Sequence, residues 1–238
     1  MRIARLTFAL TFALAIALAI ALALCPLSAQ AGLLSPSEVD ASRYLPPPPP
    51  AGSAVEKREL KELHAIAARS SKALRAIATH DSKDESPDIF NNAIGFDATT
   101  KPQTARLLQM VMEEEDGDSK TAKAYFHRLR PYAVDPSVRA CEPVKKGKIK
   151  AANSYPSGHA SLAFSMGVVL ASLVPEKSQA ILARANEYAE HRLVCGVHYR
   201  SDIVAGQQFG TILALKLMQN PGFKAQMDLA RAELGAAP

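Results

Sequence analysis

The chain has 238 residues, 48% of them hydrophobic and 21% charged, with a formal net charge of +5 at pH 7. Such a chain can bury one sizeable core, so we expect one catalytic-sized domain. The basic excess is too mild for a nucleic-acid-binding surface, which excludes nucleic acid as an expected partner, but it suits a small anionic substrate.

Residues 1–31 have the pattern of a signal peptide. Two arginines precede an apolar run from Leu6 to Leu24, and Ala29-Gln30-Ala31 supplies the small residues that signal peptidase accepts. This predicts export to the periplasm or out of the cell, with no stable membrane insertion after cleavage. The run is also long enough to span a bilayer, so a retained anchor stays open as the alternative. The bulky residue before Cys25 disfavours lipidation.

Residues 32–55 are predicted to form an extended N-terminal arm. They include five consecutive prolines, Pro46 to Pro50. Because proline lacks the N–H donor and fixes φ, this segment favours a polyproline-II conformation outside any helix or sheet. We interpret it as a stiff strap that lies on the domain.

Residues 56–238 are predicted to form a single all-α domain, a helical bundle. Residues 56–79 repeat apolar side chains at three- and four-residue steps, and the sequence shows no period-two strand of comparable length. Further helices are expected over residues 87–95, 101–115, 119–129, 158–173, 176–194, 200–219 and 221–234. The long connection over 131–157 is typical of a functional loop.

The helix expected at 158–173 begins with an unusual run of residues. Pro156 favours an extended residue before it, Ser157 is a good N-cap, and Gly158 lets a ligand approach the backbone. The N–H groups of the first turn and the helix dipole favour a phosphate there, with His159 beside it. On these residues alone, an ordinary helix cap with a surface histidine is the commoner alternative.

A basic pair marks the helix expected at 119–129. Lys123 and Arg130 are seven residues apart, so on a helix both project from one face, whereas Arg128 lies well off that face. Two stacked cations favour an anion between them, and the planar guanidinium matches two phosphate oxygens. A solvated basic helix end is the plain alternative.

A third group lies in the segment HRLVCGVHYRSD. His198 and Asp202 are four residues apart, so on a helix the carboxylate can accept from one ring nitrogen and leave the other able to attack. Gly196 is expected to break the helix between Arg192 and His198 so that both face one point. Alone, such a His–Asp pair is more often a surface hydrogen bond.

In this order, the three groups resemble the signature of the type 2 phosphatidic acid phosphatase superfamily, and within it the bacterial class A non-specific acid phosphatases. The stretch EDGD at Glu115–Asp118 and the context CGVH at Cys195–His198 add to the likeness, which covers nearly the whole mature chain. The resemblance implies an exported, all-helical acid phosphatase of broad specificity for organic phosphomonoesters. It also implies a phosphohistidine intermediate, no metal or other cofactor, phosphotransfer to alcohols, inhibition by inorganic phosphate or vanadate, and a homo-oligomer.

The resemblance also assigns roles to individual residues. It makes His198 the nucleophile, Asp202 its orienter, and His159 the acid that protonates the leaving alkoxide. The residues it assigns to the phosphoryl oxygens are Lys123, Arg130, Ser157, Gly158 through its N–H, and Arg192. Three cations and helix-end amides can supply the charge stabilisation that magnesium supplies elsewhere, and no residues stand at metal-ligand spacing. Because His159 must begin protonated and His198 unprotonated, we expect an acid pH optimum.

One position departs from the superfamily pattern. His191 stands where a serine is usual, immediately before Arg192. We expect activity to survive, with effects on the local support of Arg192 or on the leaving-group side. The other histidines are interpreted as surface or packing residues: His64, His80 and His127.

The mature chain keeps two of the three cysteines, Cys141 and Cys195. In an exported protein an even pair indicates a disulfide, although two buried thiols would give the same sequence. Both alternatives stay open.

Other functions fit the same residues. A vanadate-dependent haloperoxidase would hold vanadate in the cationic pocket with His198 as axial ligand, but such chains are usually much longer. A non-catalytic phosphate-binding module would keep the cations, yet it would not need both His198 and Asp202. A membrane lipid phosphatase shares the motifs but needs several apolar spans, and the sequence past residue 31 shows none.

Overall fold

Residues 32–141 and 152–235 are described by the structure, a computed structural model. The predicted signal peptide and residues 142–151 of the predicted loop lie outside the described residues. Within the described ranges the chain forms helices and no strand, so the predicted all-α bundle is confirmed. The longer helices are α1 (Ala54–Arg69), α2 (Lys72–Asp81), α3 (Pro102–Phe126), α4 (Gly158–Leu173), α5 (Ser178–Val194), α6 (Arg200–Leu217) and α7 (Pro221–Glu233). Single-turn helices cover Ala41–Tyr44, Asn91–Ile94 and Pro131–Val134, and 3₁₀ turns cover Pro87–Phe90, Ala98–Thr100 and Pro175–Lys177.

The last four predicted helices agree with α4 to α7 to within two residues at each end. The single helix predicted over 56–79 is wrong, because α1 ends at Arg69 and α2 begins at Lys72. Ser71 caps α2, since its hydroxyl accepts from the N–H of Leu74 at 3.0 Å. Apolar spacing could not reveal this break, because both helices repeat with the same period.

The two helices predicted over 101–115 and 119–129 are also wrong, because they are one helix, α3. It runs through the EDGD stretch and ends at Phe126. His127 terminates it in the left-handed conformation with φ 49°, which histidine adopts more readily than most residues. Residues 127–130 therefore lie beyond the helix, which removes the basis on which the basic pair was predicted.

The central helix of the bundle is α4. Ten of its 16 residues are buried, and it packs mainly against α5 and α6 and also against α3. The contact with α6 is so close that it requires glycine at two positions. A Cβ on Gly206 would lie 2.5 Å from the Ser157 carbonyl oxygen, and one on Gly210 would overlap the Ser161 carbonyl. In the described part of the chain, no helix combines the length and apolarity needed to cross a membrane.

The predicted proline arm lies on the helical domain. Residues 46–50 have no regular secondary structure, but the extended conformation predicted for all of 32–55 is wrong, because Ala41–Tyr44 forms a helical turn and α1 already begins at Ala54. The Pro46 carbonyl accepts a hydrogen bond from the Tyr155 hydroxyl at 2.7 Å, and Leu45 packs in one apolar cluster with Tyr155 and Phe209. The arm therefore supports the loop that leads into α4.

Candidate active site

The N-termini of α4 and α6 meet at the candidate site. Ser157 caps α4, since its hydroxyl accepts from the N–H of Ala160 at 3.4 Å. The N–H of Ser157 donates to the carbonyl of Asp202 at 3.0 Å, which ties the start of α4 to the first turn of α6. The positive end of the α4 dipole therefore lies beside the residues that begin α6.

Gly158 lies directly against Lys123. A Cβ at this position would be 2.5 Å from Lys123 Nζ and 3.1 Å from the Ser119 hydroxyl. Any side chain at residue 158 would push the ammonium group away from the helix start. Glycine therefore permits close approach of the Lys123 ammonium, whereas the sequence predicted close approach of a ligand, and the cation lies beside the positive end of the helix dipole.

His198 lies immediately before α6, because α6 begins at Arg200. His198 lies outside the helix, as the range predicted over 200–219 also has it, so the pair with Asp202 does not depend on helical spacing; its Nδ1 lies 3.3 Å from Asp202 Oδ2. The N–H of Tyr199, the helix cap, donates to the same oxygen at 2.9 Å. Nε2 faces Arg130 Nη1 at 3.2 Å. When Nδ1 donates to Asp202, Nε2 carries the lone pair that can attack.

Asp202 is completely buried and fixed by hydrogen bonds at both oxygens. Oδ1 accepts from Arg128 Nη1 at 2.7 Å, and Oδ2 accepts from the Ser154 hydroxyl at 2.6 Å. Arg128 is itself buried and donates to Glu59 at 2.9 Å. This network balances the charge of Asp202 and fixes its orientation toward His198.

Arg130 reaches the site from an extended backbone, with φ −71° and ψ 152°. The predicted helical face shared with Lys123 is therefore wrong, because Pro131 disfavours a helical residue before it. The guanidinium donates from Nε to Asn153 Oδ1 at 3.0 Å and from Nη1 to the Val197 carbonyl at 3.1 Å. Burial lowers the pKa of Lys123, Glu115 acts in the opposite direction, and the charge of Arg130 lowers the pKa further.

His159 is held by a different part of the chain, the turn that follows α2. Its Nε2 lies 3.3 Å from the Ser82 carbonyl, and its Nδ1 lies 3.1 Å from Glu85 Oε1. The ring stacks on Tyr188 of α5, with centroids 5.5 Å apart and planes 15° apart. A cavity of about 450 Å³ opens beside it and beside Lys123.

Contacts join His198 to Asp202 and Arg130, Ser157 to Asp202, and Gly158 to Lys123, and His159 follows Gly158 in the chain. The eighth predicted site residue is Arg192. Arg192 is buried in α5, and its positive charge lowers the pKa of both His159 and His198. The structure therefore brings the three sequence groups together around one point.

A family model described as the PAP2 superfamily matches residues 107–225, half of the chain, and this span contains every predicted site residue. The chain belongs to the PAP2 superfamily. An acid phosphatase of Zymomonas mobilis is 29% identical over 203 residues, which are 83% of this chain and 76% of that protein. A non-specific acid phosphatase of Providencia stuartii is 29% identical over 201 residues, 82% of this chain and 81% of that protein.

Among solved structures, a transmembrane PAP2 type phosphatidylglycerolphosphate phosphatase from Bacillus subtilis matches this chain with a TM-score of 0.53. The sequence identity is 17%, and the match covers 74% of this chain and 89% of that chain. At this identity the likeness shows the shared fold alone.

The surroundings of both histidines of this PAP2 site disfavour the protonated ring. Burial, followed by the charge of Arg130, lowers the pKa of His198 well below its ordinary value. Burial, followed by the charge of Arg192, lowers the pKa of His159 in the same way, while the Ser82 carbonyl opposes the shift. An anionic ligand among the cations would raise both values again.

Two buried carboxyl groups of the PAP2 site have raised pKa values. Burial raises the pKa of Asp202 to about 6, although Arg128 and Ser154 act in the opposite direction. Burial also raises the pKa of Glu115, in the EDGD stretch, to about 7, against the effect of Lys123. Glu115 lines the cavity on the Lys123 side.

Sequence reasoning missed four residues that support the PAP2 site: Glu59, Arg128, Asn153 and Ser154. Arg128 was placed away from the basic pair because the helix was expected to continue to residue 129. The proline at 131 was the available signal that the helix stops earlier. Glu59 lies on α1, far from the motifs in sequence, and nothing in its local pattern indicates a contact with Arg128.

The remaining predictions concern the other histidines, the cysteine pair and the absence of a metal site. His191 is buried, whereas His64, His80 and His127 lie at the exposed surface. Cys141 and Cys195 form a disulfide, which joins the loop that follows Arg130 to the C-terminus of α5. Across residues 32–141 and 152–235, no group of three or more His, Cys, Asp or Glu side chains is arranged to hold a metal ion.

Proposed function

We propose that this protein is an exported acid phosphatase that hydrolyses varied organic phosphomonoesters through a phosphohistidine at His198. Membership of the PAP2 superfamily and two relatives named acid phosphatases confirm the predicted enzyme class. They also fit small phosphorylated molecules as its substrates. The intermediate, the broad specificity, the metal independence and the export are the finer parts of the proposal.

One observation carries the proposed mechanism. The ring of His198 has Nδ1 on a buried carboxylate and Nε2 on the side of Arg130, at 3.3 Å and 3.2 Å respectively. A neutral imidazole fixed in this way presents a lone pair where the cations would hold a phosphoryl group. An ordinary buried histidine has no need of such an arrangement.

The first step transfers the phosphoryl group to the enzyme. Nε2 of His198 forms a bond to phosphorus while the bond to the ester oxygen breaks, and Asp202 stabilises the imidazolium through Nδ1. His159 gives a proton to the departing oxygen, so the product leaves as an alcohol. The cations and the α4 amides stabilise the charge on the phosphoryl oxygens during transfer.

The second step returns the enzyme to its starting state. The now neutral His159 accepts a proton from a water molecule as the water oxygen attacks phosphorus, and the bond to His198 Nε2 breaks. Inorganic phosphate leaves, and His159 is protonated again. An alcohol in place of water would give phosphotransfer by the same sequence.

The decisive test is phosphate release from p-nitrophenyl phosphate at about pH 6 with EDTA present. We expect robust turnover by the parent protein and none by a folded His198→Ala variant. Turnover that stops on adding EDTA would contradict metal independence. Phosphate binding without turnover in either protein would replace the proposal with a phosphate-binding module.

Export is proposed from the sequence of residues 1–31. Expression of the full chain in a Gram-negative host should place phosphatase activity in the periplasm or medium, on a protein whose N-terminus is Gly32. A membrane-bound product that retains Met1 would support the anchor alternative instead.

A further inference from the structure

A buried ionic cluster joins the end of α2 to α5. Asp81, the last residue of α2, lies 2.7 Å from His191 Nδ1. Its carboxylate also accepts two hydrogen bonds from the guanidinium of Arg184, at 3.0 Å and 2.9 Å. His191 and Asp81 are each only 3% exposed. Two side chains of α5 therefore hold the C-terminus of α2 in place.

The turn that starts at Asp81 is the same turn that holds His159. The next residue, Ser82, presents its carbonyl to His159 Nε2, and Glu85 faces Nδ1. A third α5 side chain, Tyr188, stacks on the His159 ring and donates its hydroxyl to the Asp84 carbonyl at 2.6 Å. The position of the His159 ring therefore depends on how firmly α5 holds this turn.

The two nitrogens of His159 have different surroundings. Nε2 faces a backbone carbonyl, which can only accept, so this nitrogen carries a proton. Its hydrogen bond to the carbonyl fixes the orientation of the ring. Nδ1 is on the side of Glu85, whose side chain is 62% exposed at the edge of the cavity. Nδ1 is therefore the nitrogen that can reach a leaving group, and the Ser82 carbonyl sets its direction.

We propose that His191 is a positioning residue for the acid: by holding Asp81 it fixes the turn whose Ser82 carbonyl aims His159 at the leaving oxygen. This rests on the proposed phosphatase function. The hydrogen bond of His191 runs to Asp81 and reaches His159 only through the turn, so we expect it to act on the protonation of the leaving group and not on attack by His198. A serine at 191 is too short to place a donor where Nδ1 of the imidazole lies.

The test compares leaving groups that differ in their need for a proton. Ethyl phosphate releases an alkoxide that must be protonated, whereas p-nitrophenyl phosphate releases a stable phenoxide. The measured quantity is kcat/KM, because it reports the steps up to leaving-group release and is independent of the later hydrolysis. We expect His191→Ser to lower kcat/KM for ethyl phosphate about tenfold and to leave p-nitrophenyl phosphate within about twofold.

The His191→Asn variant supplies the rescue. Its amide nitrogen occupies nearly the position of Nδ1 and can donate to Asp81, so it should recover most of the activity on ethyl phosphate. The matched control is His64→Ser, which breaks another His–Asp pair, 2.9 Å from Asp135, at the exposed surface away from the site. It should leave the ratio of the two substrates unchanged.

Inhibition by inorganic phosphate separates this role from a simple loss of support for Arg192. The inhibition constant should change less than about twofold in His191→Ser. Equal losses on both substrates, or no rescue by His191→Asn, would overturn the proposal while leaving the phosphatase function intact. Failure of the parent protein on both substrates would contradict the function itself. If His191→Ser does not fold, His191→Phe keeps the ring volume, removes the donor, and is expected to show the same selective loss.

Discussion

The proposed site has a nucleophile side around His198 and an acid side around His159, and the surrounding residues support the two in different ways. His198 lies against a buried carboxylate, and that carboxylate is matched by a buried arginine and a second acid from α1. His159 lies against a backbone carbonyl and an exposed glutamate in a turn. The first arrangement is an interior ion network, and the second is a turn held from behind by α5.

This difference indicates whether a change on each side affects the free energy of unfolding or only the catalytic rate. Breaking an interior ion network leaves an uncompensated buried charge, so it affects folding as well as catalysis. On the acid side the exposed Glu85 can be changed without leaving a buried charge unpaired, so such a change affects the orientation and protonation of one ring more than the stability of the fold. We therefore expect changes on the nucleophile side to act on all substrates and changes on the acid side to depend on the leaving group.

The largest expected effect separates the two histidines directly. His198→Ala should lower kcat/KM at least about a thousandfold on every phosphomonoester, because no other group replaces the nucleophile. His159→Ala should lower ethyl phosphate hydrolysis about a hundredfold but p-nitrophenyl phosphate hydrolysis far less. Steady-state kinetics with both substrates checks this. Equal losses in the two variants on both substrates would remove the distinction.

The second effect concerns stability. Arg128→Met leaves Asp202 and Glu59 buried without their cation, so the free energy of unfolding should fall by about 3–5 kcal/mol. Glu85→Gln, on the exposed acid side, should change it by less than about 0.5 kcal/mol. Urea unfolding followed by circular dichroism measures both. A cost below about 1 kcal/mol for Arg128→Met would show that the network does not stabilise the fold as described.

The third effect lies between the two sides, at the start of α4. Gly158→Ala forces Lys123 Nζ away, since the new Cβ would lie 2.5 Å from it, so the inhibition constant for phosphate should rise about tenfold. Gly117→Ala is the matched control, because nothing lies within 4 Å of a Cβ there. Unchanged phosphate inhibition in Gly158→Ala would contradict the need for a glycine beside Lys123.

The smallest effect is a shift in pH dependence. Glu85 lies 3.1 Å from His159 Nδ1, and removing its charge in Glu85→Gln lowers the pKa of His159. Because His159 must be protonated to act, activity is lost as pH rises through this pKa, so the alkaline limb should move to lower pH by about half a unit. The acid limb, set by His198 and Asp202, should stay in place. A shift of the alkaline limb to higher pH would contradict the assignment of His159.

On the nucleophile side, the sequence predicted which residues meet better than it predicted the local backbone geometry that brings them together. The i, i+4 spacing of His198 and Asp202 led to the correct pair, but the structure forms it at a helix cap and not along a helix. Likewise Arg130 lies outside α3, yet its guanidinium lies 3.2 Å from Nε2 of His198. Residue types and order carried the prediction, because motifs record which groups meet and leave open how the backbone brings them together.

The acid side could not be predicted from the sequence beyond His159 itself. Its support comes from a backbone carbonyl at Ser82, and every residue has a carbonyl. The buried ionic cluster of Asp81, Arg184 and His191 joins segments more than 100 residues apart in sequence. The only local signal was His191 in place of serine, and the sequence gives no indication of its contact with Asp81.

Direct trapping tests most sharply whether His198 carries the phosphoryl group during turnover. The mature protein is mixed with p-nitrophenyl phosphate, quenched in base, which preserves phosphohistidine, and digested for mass spectrometry. We expect one phosphoryl group on the peptide that contains His198 and none in His198→Ala. A phosphoryl group on another residue, or none during active turnover, would contradict the proposed phosphohistidine.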